Sequence, residues 1–466
     1  MARTAVAHRC SECGWTSARW VGRCNQCQSW GSMAPQAPTP AGRVSPGEPS
    51  GVARPIGEVP LSEAASVPTG IGELDRVLGG GLVAGAVVLL AGEPGVGKST
   101  LLLDVAARWA RRRRTLYVSA EESAAQVRLR ATRTSALADN LYLAAETDLG
   151  AVLTQIERTE PDLLVLDSVQ AVTVNGTDGV AGGVAQVREV TNALVRVAKQ
   201  RGLPVLLVGH VTKDGTVAGP RLLEHLVDVV LSFEGDRHSA LRLVRASKNR
   251  FGPADEVGCF EMTEGGIAEV ADPSHLFASS RTEPVPGTAL TVSLDGRRPL
   301  LGEVQALVAP TGAPSPRRVA HGLDSGRVSV ILAVLERKAK VRLHSKEVYA
   351  STVGGARLTD PAADLAIALA VASAAAEHAY RRPVIALGEV GLSGELRRVP
   401  GLGRRLAEAR RLGFELALVP PGTEAGVRGL KVIEMASVEQ AVDALQLRPA
   451  KHRTTPVRGH LHLAEG

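Results

Sequence analysis

Gly92, Glu93, Pro94, Gly95, Val96, Gly97, Lys98 and Ser99 spell the pattern GxxxxGK[ST], with Thr100 directly after it. Glycines let such a loop wrap its backbone N–H groups around phosphates, and a following helix N-terminus adds positive potential. Lys98 is then placed to reach the β and γ phosphates, and the Ser99 hydroxyl is offered to Mg2+. The chemistry implied is binding and hydrolysis of a nucleoside triphosphate. Asp167 closes the apolar run 163–166, where a carboxylate at the C-terminal edge of a parallel strand holds the metal through water. Glu121 and Glu122 close another run, TLYVSAEES, and one of them is placed to polarise the attacking water. Glu121 is favoured; a solvated glutamate at a helix start is the reading for the other.

Cys10, Cys13, Cys24 and Cys27 form two CxxC pairs with ten residues between them. Four thiolates on two tight turns match the tetrahedral sulfur geometry of Zn2+, and with every position filled by protein no site remains for a catalytic water. A redox CxxC would sit beside a βαβ pattern, and stable disulfides are out of place in a cytosolic chain. Trp15, Trp20 and Trp30, three of the four tryptophans, lie in or beside this cluster. They are expected to supply the core that a thirty-residue metal module otherwise lacks, with stacking surfaces as the alternative. Cys259 stands alone in an apolar setting and is expected in a core.

Such groups need a sheet to hold them. From about residue 67 to 271, apolar runs of strand type (AVVLLAG, TLYVSA, DLLVLDS, PVLLVGH, VDVVLSF) alternate with helical segments such as 99–113 and 185–201. That alternation predicts an α/β fold, a mainly parallel sheet covered by helices. The phosphate loop follows the run 86–91 and opens the helix 99–113, the context its motif requires. Pro- and Gly-rich composition marks breaks at 33–66 and around 272–286. The expected order is a zinc module at 1–32, a linker at 33–66, an ATPase at 67–271, an α+β domain at 284–447 and a tail at 448–466. His452, His460 and His462 in the tail lack acidic or cysteine partners and read as part of a frayed end.

The composition agrees. The 466 residues correspond to about three domains at roughly 150 residues each, and 44% hydrophobic with 22% charged residues describes a folded chain. The longest apolar stretches, 79–92 and 365–376, fall short of the ~18 residues that a membrane span needs. The N-terminus lacks the apolar core of a secretory signal, so a cytoplasmic protein is expected. A net charge of +6 leaves polyanion binding open. Aromatic residues, at 3%, are too scarce for a nucleic-acid surface built mainly on stacking, so any nucleic-acid contact is expected to be largely to phosphates.

The succession of zinc module, GEPGVGKST, LYVSAEES, LLVLDSVQ, GHVTKDG and KNRFG resembles the bacterial RadA (Sms) family of DNA repair proteins over nearly the whole chain. The resemblance implies a RecA-like P-loop ATPase core using ATP and Mg2+, assembled as a hexameric ring. It also implies a branch-migration motor acting on single-stranded and branched DNA during recombination, with a RecA-type recombinase among the partners it suggests. Carried over by motif, Lys98 and Ser99 bind phosphate and Mg2+, Asp167 is the Walker B residue and Glu121 the base. Lys248 and Arg250 of KNRFG then reach into a neighbouring subunit's ATP site. His210 falls where RecA-like ATPases place a γ-phosphate sensor, and the stretch 211–221 resembles a DNA-contacting loop with Lys213 and Arg221 as its contacts.

The third region resembles the proteolytic domain of Lon, through TDPAADLAIALA and GEVGLSGELRRVPGLGRRLAEARRLG. Counting along that pattern puts Ala362 at the nucleophilic serine and Gly403 at the lysine, so a scaffold and no peptidase activity is expected. Arg397, Arg398, Arg404 and Arg405 lie in the second of these stretches, either facing DNA phosphates or lining a solvated helix face. A nucleotide-controlled adaptor for repair proteins is the alternative function, and an ATP-dependent protease is disfavoured by the missing dyad.

Overall fold

The computed structural model describes residues 8–17, 19–35, 53–58, 60, 65–177, 180–210, 223–235, 240–274, 285–354, 357–380, 382–423 and 426–447. Lys213, Arg221 and the three tail histidines lie outside the described residues. Two compact units form, Met1–Pro60 and Leu61–Gly466.

In the first unit, β1 (His8–Cys10), β2 (Thr16–Ser17) and β3 (Met33–Pro35) make a three-stranded antiparallel sheet with β1 in the centre. Met33 pairs with Cys10, so residues 33–35, read from sequence as the start of the linker, complete this sheet. Its small core is Cys10, Cys24 and Met33, with Trp15 and Val21 packed against them. Trp15 meets the expectation of a core role. Trp20 and Trp30 do not, being 62% and 75% exposed. The sulfur cluster occupies the centre of the module, and the interior left over accommodates one indole.

The second unit opens with a short pair, β4 (Ser66–Val67) and β5 (Leu82–Val83), around helix α1 (Gly72–Leu78). A nine-stranded sheet follows, built from β6 (Val87–Gly92), β7 (Thr115–Ser119), β8 (Leu141–Ala145), β9 (Leu163–Asp167), β10 (Val205–His210), β11 (Val229–Gly235), β12 (Leu241–Asn249), β13 (Val257–Thr263) and β14 (Gly266–Glu269). Its order is β14-β13-β12-β11-β6-β10-β9-β7-β8. The stretch from β11 to β8 is parallel, and β12 to β14 add antiparallel strands. Every residue of β6 and β9 is buried, the continuous apolar run of a strand covered on both faces. Helices α2 (Lys98–Ala110) and α3 (Ala124–Arg133) pack with α1 over one face; α4 (Leu149–Thr159) and α5 (Val184–Arg201) cover the other. Local signals set the ends: Ser123 and Gln126 form a capping box on α3, Asp148 caps α4, and Gly202 ends α5 in the left-handed region. Cys259 is fully buried in β13, as expected.

A seven-stranded mixed sheet makes the C-terminal part, from β15 (Thr288–Asp295), β16 (Arg298–Pro310), β17 (Arg318–His321), β18 (Lys346–Thr352), β19 (Ile385–Ala386), β22 (Leu416–Val419) and β23 (Lys431–Glu434), with the separate pair β20 (Glu389–Val390) and β21 (Leu396–Arg397) beside it. Four helices join it: α6 (Ser325–Arg337), α7 (Asp364–Ala376), α8 (Leu402–Arg411) and α9 (Val438–Ala444). Helix α7 is apolar on all sides and lies in the middle of the main core of this part.

The turn between β15 and β16 is the rivet between the two sheets. Arg298, only 5% exposed, pairs with the buried Glu73 of α1 and donates to the carbonyls of Val257 (3.0 Å) and Ala271 (3.0 Å). Asp295 pairs with Arg245 of β12, and the Arg297 N–H donates to the Asp255 carbonyl at 2.7 Å.

Candidate nucleotide site and metal centre

Gly92 ends β6 because nothing larger fits: a Cβ there would lie 2.4 Å from the Phe233 carbonyl oxygen of the neighbouring strand. Glu93, Pro94 and Gly95 then turn out into solvent, Val96 returns inward, and Gly97 at φ +111° starts α2. No side chain caps α2, so the N–H groups of its first turn, from Lys98 through Ser99 and Thr100, remain for an incoming anion. Lys98 is 4% exposed, and its ammonium donates to the Gly92 and Glu93 carbonyls, at 2.9 Å each. Burial lowers the Lys98 pKa, and the carboxylates of Asp167 and Glu121 oppose that shift.

Those carboxylates arrive on adjacent strands. In register, Ser119 of β7 faces Asp167 of β9, and His210 of β10 faces Gly92 of β6. Glu121, Asp167 and His210 therefore stand at the same C-terminal edge as the loop, the edge where parallel α/β sheets gather ligands. Asp167 is nearly buried and accepts a hydrogen bond from the Tyr117 hydroxyl at 2.6 Å. Glu121 Oε1 lies 3.1 Å from His210 Nε2 and also accepts the Ser168 hydroxyl. Its carboxyl is held down to about 2, first by His210 and further by Ser168, against the opposing effect of burial. Glu122 is engaged elsewhere, by Arg130 of α3.

Tyr117, Ser168 and Arg130 are contacts that sequence reasoning missed. A tyrosine inside LYVS carries only the signature of a strand residue, and the serine after Asp167 carries no motif of its own.

Lys248 and Arg250 are not brought to this loop. Lys248 pairs with Val230, which pairs with Leu89, three residues before Gly92, or roughly 10 Å along the strand. β12 runs antiparallel to β11, so Arg250 lies farther away still. Lys248 donates to the Val227 carbonyl at 2.8 Å, and Arg250 pairs with Asp228 at 3.2 Å.

In the first unit the four sulfurs of Cys10, Cys13, Cys24 and Cys27 all lie within 4.8 Å of one another. The Cys10–Cys27 and Cys13–Cys24 pairs are each 3.6 Å apart. A tetrahedral zinc with Zn–S of about 2.3 Å has sulfur–sulfur edges of about 3.8 Å, so the donor set fits that metal. The Ser32 hydroxyl helps hold the Cys10 thiol down to about 6, while burial and the neighbouring sulfurs push the Cys27 thiol up to about 12, so the four sulfurs do not all ionise together without a cation between them.

Comparison with known proteins agrees with this geometry. Residues 53–216 match the AAA domain family, residues 8–35 the rubredoxin metal binding domain, and residues 354–423 subunit ChlI of Mg-chelatase. The chain is 54% identical to the DNA repair protein RadA of Mycolicibacterium smegmatis, over 94% of this chain and 96% of that one. It is 51% identical to the DNA repair protein RadA of Mycobacterium tuberculosis over 100% of both chains. The chain belongs to the RadA family of DNA repair proteins. Identity remains 44% to the DNA repair protein RadA of Listeria monocytogenes, over 94% of this chain and 96% of the relative.

In this RadA-family chain the C-terminal domain carries no nucleophile at the position compared with Lon. Ala362 is fully buried with its N–H donating to Asp360 at 3.0 Å, and Gly403 sits in the first turn of α8. Arg405 corrects the expectation of a basic surface: it is 2% exposed, paired with Asp360 at 2.6 Å and donating to the Val292 carbonyl at 2.7 Å. Asp360 and a strand carbonyl satisfy it internally, so it is not available to a phosphate. Arg397, Arg398 and Arg404 stay at the surface, with Arg397 shared by Glu389 and Glu395. Among the described residues no helix is long and apolar enough to cross a membrane.

Proposed function

We propose that the protein is a DNA-dependent ATPase that works as a branch-migration motor on recombination intermediates, acting on single-stranded and branched DNA as a hexameric ring. The observation that carries this reading is the convergence of Lys98, Asp167, Glu121 and His210 at the C-terminal ends of the adjacent strands β6, β9, β7 and β10. Lys98 and the uncapped first turn of α2 would hold the β and γ phosphates. Ser99 and Asp167 would hold Mg2+, which neutralises charge on the phosphates when bound. Glu121 would take the proton of the attacking water as its oxygen bonds to the γ phosphorus and the bond to the β-phosphate oxygen breaks, releasing ADP and phosphate.

A carboxylate held at about 2 is a weak base, so Glu121 must first lose its partners. His210 is the larger of these, and its turning to a γ-phosphate would free Glu121 only when nucleotide is present. Lys248, roughly 10 Å along the strands from its own loop, and Arg250, farther still, suit a role in a neighbouring subunit's site. There they would stabilise charge on the transferring phosphoryl group. The names of the relatives support the DNA-repair part of the reading; a RecA-type recombinase as a partner and a cytoplasmic location are proposed with it.

The test is Lys98→Ala in the full chain, with ATP turnover measured with and without single-stranded DNA. Turnover should fall at least a hundredfold in both conditions, and unchanged DNA-stimulated turnover would refute the site.

A further inference from the structure

The zinc module leaves two of its three indoles in solvent. Trp20 and Trp30 are 62% and 75% exposed, and both lie against Gly22. A Cβ at Gly22 would sit 3.6 Å from the Trp20 ring and 3.8 Å from the Trp30 ring, so the two rings flank one small residue. Each is fixed in place. Trp20 Nε1 donates to the Met33 carbonyl at 3.3 Å, and the Arg23 guanidinium lies 5.8 Å from the centre of the Trp30 ring. Arg23 is itself held by Gln28, through the backbone carbonyl at 2.9 Å and the side-chain amide oxygen at 2.7 Å. Arg19 is exposed beside Trp20. Glu12 is the one acidic residue between positions 8 and 35, and among the described residues neither Arg19 nor Arg23 has an ion-pair partner.

Two exposed rings that meet at one glycine, edged by guanidinium groups with no acidic partner, call for a ligand that offers flat apolar faces and negative charge in alternation. A single strand of nucleic acid has that chemistry: its bases stack on indoles and its phosphates meet arginines. In a duplex the base faces are already stacked on one another. We propose that Trp20, Gly22 and Trp30 form a stacking platform for the bases of single-stranded DNA, with Arg19 and Arg23 on its backbone. The proposal rests on the reading that this chain acts on DNA, and adds base contact in the module to the phosphate contact expected from composition.

The test uses the zinc-loaded full chain and two probes of equal length, an oligothymidylate and an abasic oligonucleotide with the same phosphates. Trp109 is buried in the second unit and Trp15 is partly buried, so quenching of tryptophan emission on adding oligothymidylate reports chiefly on Trp20 and Trp30. We expect quenching by oligothymidylate and little by the abasic strand. The Trp20→Ala/Trp30→Ala double variant should lose about tenfold or more in affinity for oligothymidylate while keeping its affinity for the abasic strand. Gly22→Leu, whose side chain would crowd both rings while retaining both indoles, should do the same, and zinc content confirms that each variant is folded. Equal binding of the two probes by the native chain, or unchanged oligothymidylate affinity in both variants, overturns the platform. Unchanged DNA affinity with lost self-association or lost recombinase binding assigns the surface to protein and overturns it as well. A native chain that binds neither probe refutes the DNA reading itself, a result distinct from these.

Discussion

Arg298→Met tests the rivet between the two sheets. The native guanidinium neutralises Glu73, a carboxylate 3% exposed, and caps the carbonyls of Val257 and Ala271. Removing one partner of a buried ion pair costs about 3–5 kcal/mol. Glu73 keeps two other contacts, the Cys259 N–H at 2.8 Å and the half-exposed Arg76 at 3.4 Å, which places the cost near the lower end, about 3 kcal/mol. Cys259 reports the opening directly. It is the one cysteine outside the zinc cluster, it is fully buried, and burial pushes its thiol up to about 11. Alkylation of the zinc-loaded chain, followed by mass spectrometry of the Cys259 peptide, measures the population of the open form when reclosing is fast. At about 1.4 kcal/mol per decade, Arg298→Met should label about 150-fold faster than the native protein. The double variant Glu73→Gln/Arg298→Met retains an acceptor for the Cys259 N–H and removes the stranded charge, so it should regain at least about tenfold of that loss. The carbonyls left without a donor account for what remains. A change below about threefold in the single variant, or a double variant that labels as fast as the single, would refute a charge-compensating role for Arg298.

Two further outcomes follow from the sites. Glu121 has a depressed pKa, so its contribution to stability is present above the ordinary value of 4.5 and disappears as pH falls toward about 2. His210→Ala removes the largest cause, and the difference in thermal midpoint between native and variant protein should be full above pH 4.5 and shrink below it; a difference constant down to pH 2.5 would contradict this. Zinc is expected at one ion per chain, with Cys10→Ser or Cys24→Ser abolishing it and unfolding the first unit while nucleotide binding by the second persists. Metal analysis and a fluorescent ATP analogue read the two halves of that prediction.

The phosphate loop and the cysteine cluster could be read from sequence because each is local: residues within 17 positions of one another meet through turns that their glycines and CxxC spacing dictate. Asp167 and Glu121 could be read because a parallel strand delivers whatever ends it to one edge of the sheet. Tyr117 on Asp167, Ser168 on Glu121 and Arg298 on Glu73 could not, since those partners are 50, 47 and 225 positions apart and meet through strand register and sheet packing. Two expectations failed in opposite directions for a single reason. Arg405, a cation on a helix expected to face solvent, is buried because the fold supplies Asp360 and the Val292 carbonyl within reach. Trp20 and Trp30, apolar and expected inside, are exposed because a module centred on four sulfurs has no interior left for them. Side-chain type sets what a burial costs, but the partners available at a position decide whether that cost is met. An exposed indole pair next to arginines with no acidic partner among the described residues is therefore better explained by a partner outside the module than by its own folding.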